Sequence, residues 1–191
     1  MDWHIAVGII AGLISAGAIV PYVRDALAGK TKPNVVSWSI WTVAVLTVLF
    51  AQMASGASWS MFMLIGATVA NVSVLYICWR GYGYHAFGMI DRVCLFLATA
   101  ALVSWYFTSN PLWGMVLALT ADGIAYIPTY AKVYREPRSE LPLFWGLLVF
   151  GNILALLSVT IPTPANVMFP IVYAGLNTCV LALAFVGSRR R

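Results

Sequence analysis

The chain has 191 residues, 62% hydrophobic and only 9% charged, with eleven Lys and Arg against six Asp and Glu for a formal net charge of +5. A soluble domain carries about 25% charged residues, so this composition excludes a globule coated against water. Apolar runs of about 17 or more residues recur along the whole length, and no remaining stretch is long enough for a soluble domain. The expected class is an all-α membrane protein with seven transmembrane helices.

The first span is expected at 4–23. Asp2 precedes it and no Lys or Arg does, which argues against a cleavable signal. Its Gly8, Gly12 and Ala16 fall four apart on one face, a pattern for close helix packing. The second span, 35–54, opens with Trp38 and Trp41, and the third, 59–79, carries Asn71. The fourth is 92–108. The fifth, 112–131, holds Asp122, and the sixth, 142–160, opens with Trp145 and carries Asn152 at mid-span. The seventh, 166–187, carries Asn177. Trp59, Trp79, Trp105 and Trp113 flank spans and read as interfacial belts, and so do Trp38 and Trp145 at their helix starts; Trp41, one turn deeper, is the better cavity residue.

Basic residues follow the first span (Arg24, Lys30, Lys32), bracket the loop after the third (Arg80, Arg92), and follow the fifth (Lys132, Arg135, Arg138) and the seventh (Arg189, Arg190, Arg191). With seven spans, all eleven lie on one side. The positive-inside rule then puts the N-terminus out and the C-terminus in. This placement points to a lipid bilayer as partner and to no nucleic acid. Cys78, Cys94 and Cys179 form no CxxC pair and read as small buried apolar residues. The only N-x-S/T sequon, at Asn71, lies inside a span, so nothing asks for a secretory compartment. A bacterial inner (plasma) membrane is the expected location.

One unit is written twice. "AIVPYVRDALAGKTKPNVVSW" (Ala18–Trp38) and "AYIPTYAKVYREPRSELPLFW" (Ala125–Trp145) each run from an apolar stretch with a proline through a basic loop to a tryptophan. A shift of 107 positions superposes Pro21 on Pro128 and Trp38 on Trp145, and also Ala11 on Ala118 and Ala67 on Ala174. Residues 1–80 and 109–191 are therefore read as two three-helix repeats. Residues 81–108, a loop and the fourth span, are the unmatched linker. One extra crossing makes the repeats parallel, a plan in which transporters place substrate between the halves.

The 3+1+3 arrangement and the stretches "IVPYVRDALAGKTKPNVVSW" and "YIPTYAKVYREPRSELPLFW" resemble the SWEET sugar transporters and the wider PQ-loop superfamily. In those families a proline near the inner end of the first helix of each repeat precedes a basic loop. Their following glutamine is Tyr22 in the first copy here and Thr129 in the second. The resemblance implies a small secondary transporter or facilitator that moves a small polar, sugar-like solute by alternating access. It also implies substrate contacts from an asparagine on the third helix of each repeat, here Asn71 and Asn177, and proton coupling through an intramembrane acid. Vitamin carriers of the nicotinamide-riboside type and non-transporting PQ-loop-like receptors share related plans and stand as alternatives.

The residues carry expectations of their own. Asp122 is the only acid in the middle of a span, where a carboxylate costs at least ~2.5 kcal/mol and so belongs in an interior cavity. It could bind a proton, pair with a cationic solute or accept hydroxyl hydrogen bonds; its counterpart in the first repeat is Ser15. Asn152, opposite Val45, is a further candidate for the substrate site. Pro21 and Pro128 are expected as paired hinges. No carboxylate dyad, activated nucleophile or metal set is present, His4 and His85 are isolated, and the last span has no lysine for retinal. Neither an enzyme nor a cofactor is expected, and oligomeric state is left open.

Overall fold

The computed structural model describes the chain apart from residues 1, 31, 32, 34, 84–87, 109, 136, 138–140 and 189–191. Within helices, it describes the backbone alone at 36, 37, 90, 91, 94, 98, 101, 102, 105, 108, 128, 131, 132 and 188. The α-helices are α1 (Trp3–Leu27), α2 (Val35–Ala54), α3 (Met61–Ile77), α4 (Met89–Thr108), α5 (Pro111–Arg135), α6 (Pro142–Leu157) and α7 (Pro164–Ser188). A π turn, Cys78–Tyr82, extends α3 and turns out of the helix at Gly81, whose φ is 95°. No strand occurs among the described residues.

Each helix starts or stays formed for a local reason. Asp2 caps α1, accepting from the His4 backbone N–H at 3.1 Å and lying 2.7 Å from His4 Nδ1. That side-chain contact holds the Asp2 carboxyl below the usual carboxylate range. Pro111, Pro142 and Pro164 open α5, α6 and α7, where a missing N–H costs no helical bond. Hydroxyls within helices bond back to the preceding turn, as Thr42 does to the Trp38 carbonyl and Thr47 to that of Val43.

Three segments, Trp3–Leu27, Met61–Tyr82 and Pro164–Gly187, are long and apolar enough to cross a membrane, and α2, α5 and α6 contain shorter apolar stretches. The outward faces are apolar too: Leu13 is 68% exposed, Phe96 71% and Phe107 78%. Water would not tolerate so much exposed apolar surface, and hydrocarbon would. The chain is a helical membrane protein.

Six helices close a ring in the order α1–α3–α2–α5–α7–α6 and back to α1, each packing on the next. Only α4 stands outside it, against α5 and α2. Exchanging α1 with α5, α2 with α6 and α3 with α7 carries every one of these ring contacts onto another. The minor contacts across the ring, α2 with α7 and α3 with α6, also exchange.

The two halves differ, and α1 and α3 share the most extensive seam of the described helix pairs. Gly8 and Gly12 let the α3 side approach: a Cβ at either would meet the carbonyl oxygen of Trp59 or Phe62 at 2.5 Å. Gly66 on α3 lies directly against the Gly12 backbone. At the corresponding places the second repeat has Leu119 and Tyr173, and α5 and α7 pack less closely.

Gly66→Ala forces backbone against backbone and is expected to cost about 1–3 kcal/mol, read as a lowered melting temperature in detergent. Gly175→Ala, where a Cβ meets nothing within 4 Å, is expected to leave that temperature unchanged or slightly raised.

Candidate functional site

A cavity of about 300 Å³ lies inside the ring. Among the described residues it is lined by α1, α2, α3, α5, α6 and α7, with Pro33 from the loop before α2 and none from α4. Its walls follow the repeat. On α1 and α5 the matched pairs Ser15 with Asp122, Ile19 with Tyr126, and Tyr22 with Thr129 all line it. On α2 and α6, so do Trp38 with Trp145, Trp41 with Leu148, and Val45 with Asn152. On α3 and α7, Ala70 and Asn177 complete the series. The helical reason is spacing: 38, 41 and 45 share one face of α2, as 145, 148 and 152 share one face of α6.

Five of the sequence-derived candidates, Asn71, Asn177, Asp122, Trp41 and Asn152, meet at this cavity. Asn177 is fully buried and its Oδ1 accepts from the Tyr126 hydroxyl at 2.8 Å, which ties α7 to α5. Tyr130 reinforces the same seam by donating to the Leu176 carbonyl at 3.0 Å. Asn152 donates Nδ2 to the Leu148 carbonyl at 2.8 Å. Asn71 is half-buried on the facing wall. Pro21 lies inside α1 and outside the cavity wall, leaving the Gly17 carbonyl without a helical donor. Pro128 falls within α5, and its side chain lies outside the described residues.

Several atoms of the wall have no hydrogen-bond partner among the described residues. They are Ser15 Oγ, Trp41 Nε1, both oxygens of Asp122, Asn152 Oδ1 and Asn177 Nδ2. An unmet buried polar group costs about 1–3 kcal/mol, so a cluster of them around one cavity marks a place built to meet something polar. Asp122 is 1% exposed. An acid so enclosed balances its charge with a proton or with a cation in the cavity.

The cavity is closed at one end and extends toward the other. Beyond Val45, Met63 and Phe169 the ring is filled by a core that includes Ala11, Val48, Leu64, Met115 and Ala155. Past that core, the α2–α3 and α6–α7 connections are joined by a polar latch. Asn166 donates Nδ2 to the carbonyls of Gly56 (3.1 Å) and Ile161 (2.8 Å), and its Oδ1 accepts from the Ser58 N–H at 3.3 Å. Ser58 Oγ lies 3.1 Å from Thr160 Oγ1 and accepts from the Thr160 N–H at 2.8 Å. Pro170 takes part indirectly: it has no N–H for the Asn166 carbonyl, which instead accepts from Ser60 Oγ at 3.4 Å. In the opposite direction the wall runs through Tyr22, Pro33, Thr129 and Phe144 toward the basic loops.

Three expectations need correction or extension. Trp38 and Trp145, read as interfacial anchors, are 5% and 4% exposed and face the cavity. Trp38 packs on Tyr22 and Trp41, and Trp145 on Phe144 and Tyr126, so each tryptophan turns inward from its helix start. Their equal placement in both copies, one face with Trp41, was the available signal. Cys179, read as buried, is exposed on α7, whereas Cys78 is buried with its thiol 3.7 Å from the Pro33 carbonyl. The side chain of Cys94 lies outside the described residues. The latch residues Asn166, Ser58 and Thr160 were not singled out, because short polar loops look alike until they meet.

Comparison with family models, curated proteins and solved structures gives no match to this chain. The functional reading therefore stands on the site's own geometry.

In a cysteine-free background, a charged methanethiosulfonate reagent is expected to label Asn71→Cys and not Val72→Cys. The first position lines the cavity and the second, 50% exposed, faces hydrocarbon. Equal labelling of both would remove the water-accessible cavity.

Proposed function

We propose that the chain is a small secondary transporter or facilitator that moves a small polar solute by alternating access. In this reading it crosses the membrane seven times, N-terminus out and C-terminus in, as two parallel three-helix repeats joined by α4. It belongs with the SWEET-like and PQ-loop carriers in plan, in a bacterial inner membrane. The observation that carries the proposal is the cavity: positions matched by the repeat line both sides of it, and unpartnered polar atoms converge there. A carrier that must open to either face has a reason for such matched walls.

The latched end and the extended cavity supply the asymmetry that one state of such a cycle requires. With the basic loops inside, this state is closed to the outside. Opening the other way means parting the α2–α3 and α6–α7 connections while the Tyr22 and Phe144 end closes. Pro21 and Pro128 stand one repeat apart and leave matched carbonyls, Gly17 and Ile124, without helical donors. Those are the bending points in this reading. Asp122 is the one acid among the described residues that line the cavity, and any proton coupling runs through it in this reading.

Uptake into proteoliposomes tests the reading, with a panel of sugars, amino acids, vitamins and organic amines, with and without a pH gradient. Saturable uptake of at least one solute is expected. Failure of every solute with folded protein would remove it. Where uptake responds to a pH gradient, Asp122→Asn is expected to abolish the response while leaving the helical spectrum unchanged; undiminished pH dependence would end the proton role.

A further inference from the structure

The unpartnered atoms of the cavity favour one kind of ligand. Among the buried atoms without a partner, Asp122 offers two acceptor oxygens and Asn152 one, and the nitrogen donors are Trp41 Nε1 and Asn177 Nδ2. No Lys, Arg or His lines the cavity among the described residues. A neutral sugar could hydrogen-bond there and would leave the carboxylate's charge to be met by a proton alone. A zwitterionic amino acid would bring a second carboxylate to a wall that has no cation for it. A ligand with a single positive charge supplies what the wall lacks. One charge suffices, because the first repeat answers Asp122 with the hydroxyl of Ser15.

A second, independent observation is the aromatic wall. Trp38 and Trp41 ring centroids are 5.2 Å apart, Trp41 and Tyr126 5.7 Å, and Tyr126 and Trp145 6.0 Å. Tyr126 follows Asp122 by one helical turn, so the carboxylate borders this continuous surface. Aromatic faces attract alkylated ammonium and other soft cations, which shed water more readily than small inorganic ions. An acid at the rim of an aromatic wall suits a cation with an apolar body.

We propose that the solute of this cavity is a small organic monocation, its positive head against Asp122 and its body against Trp38, Trp41, Tyr126 and Trp145. This rests on the transport reading and names the class of solute, in place of the neutral sugar that the family resemblance implies.

The test compares binding to the full chain in lipid nanodiscs at neutral pH, by tryptophan fluorescence and calorimetry. The cationic probes are tetramethylammonium, choline and N-methylpyridinium. The neutral probes are glucose and 3,3-dimethylbutan-1-ol, which has the shape of choline without its charge. Choline is expected to saturate the site and to bind about ten-fold or more tightly than the alcohol. Asp122→Asn is expected to reduce that preference to about two-fold or less. The comparison within the unmutated protein stands even if the variant fails to fold. Equal binding of choline and the alcohol, tighter binding of glucose, or no saturation by any cation overturns the proposal. Glucose uptake into vesicles without cation binding would overturn it and leave transport standing. Cation binding without uptake of any probe would do the reverse.

Discussion

Polar groups inside a hydrocarbon layer must be enclosed by protein, and the architecture of this chain follows from that constraint. Asp122, Asn152, Asn177 and Ser15 lie on helices whose outward faces are apolar. A ring of six helices hides them all at once, and no single pair of helices could. The ring also explains why the tryptophans at the starts of α2 and α6 face inward. Between its polar atoms the cavity wall needs apolar bulk, and Trp38, Trp41 and Trp145 provide it without demanding many hydrogen bonds.

The contacts of the ring exchange under the 107-residue shift, and the differences between matched positions give the cavity its chemistry. At four matched positions the second copy carries the more polar side chain: Asp122 for Ser15, Tyr126 for Ile19, Asn152 for Val45 and Asn177 for Ala70. The first copy keeps glycine where α1 meets α3, and the second has Leu119 and Tyr173 in the corresponding places. Gly12 and Gly66 bring α1 and α3 together, whereas hydrogen bonds from Tyr126 and Tyr130 tie α5 to α7. Two halves held by different contacts around one cavity suit a motion in which one half moves against the other.

Much of this was legible in the residues. Apolar run length located the helices, because backbone satisfaction in lipid leaves few other choices. Asp122 declared itself by cost, Trp41 and Asn152 by depth within their runs, and Asn71 and Asn177 through the family resemblance. Burial of Trp38 and Trp145 was not legible from the helix ends alone, since an anchor and an inward-facing ring occupy the same place in a span. Asn166, its partner Ser58 and the Thr160 that Ser58 meets escaped notice for a different reason. Their hydrogen bonds join loops about a hundred residues apart, and a polar side chain in a short loop has no period to mark its partner. Pro170 gains its meaning only when Ser60 is seen to meet the carbonyl that it frees.

The central claim is that two halves move against each other around a shared cavity. Its most direct measurement is the distance between spin labels at Ala57→Cys and Ile161→Cys, on the two latched connections, in a cysteine-free protein in lipid. The account predicts two populations, one matching the latched state and one longer, with the longer one enriched by Asn166→Ala. A single distance, unchanged by that substitution and by every solute tested, would contradict it.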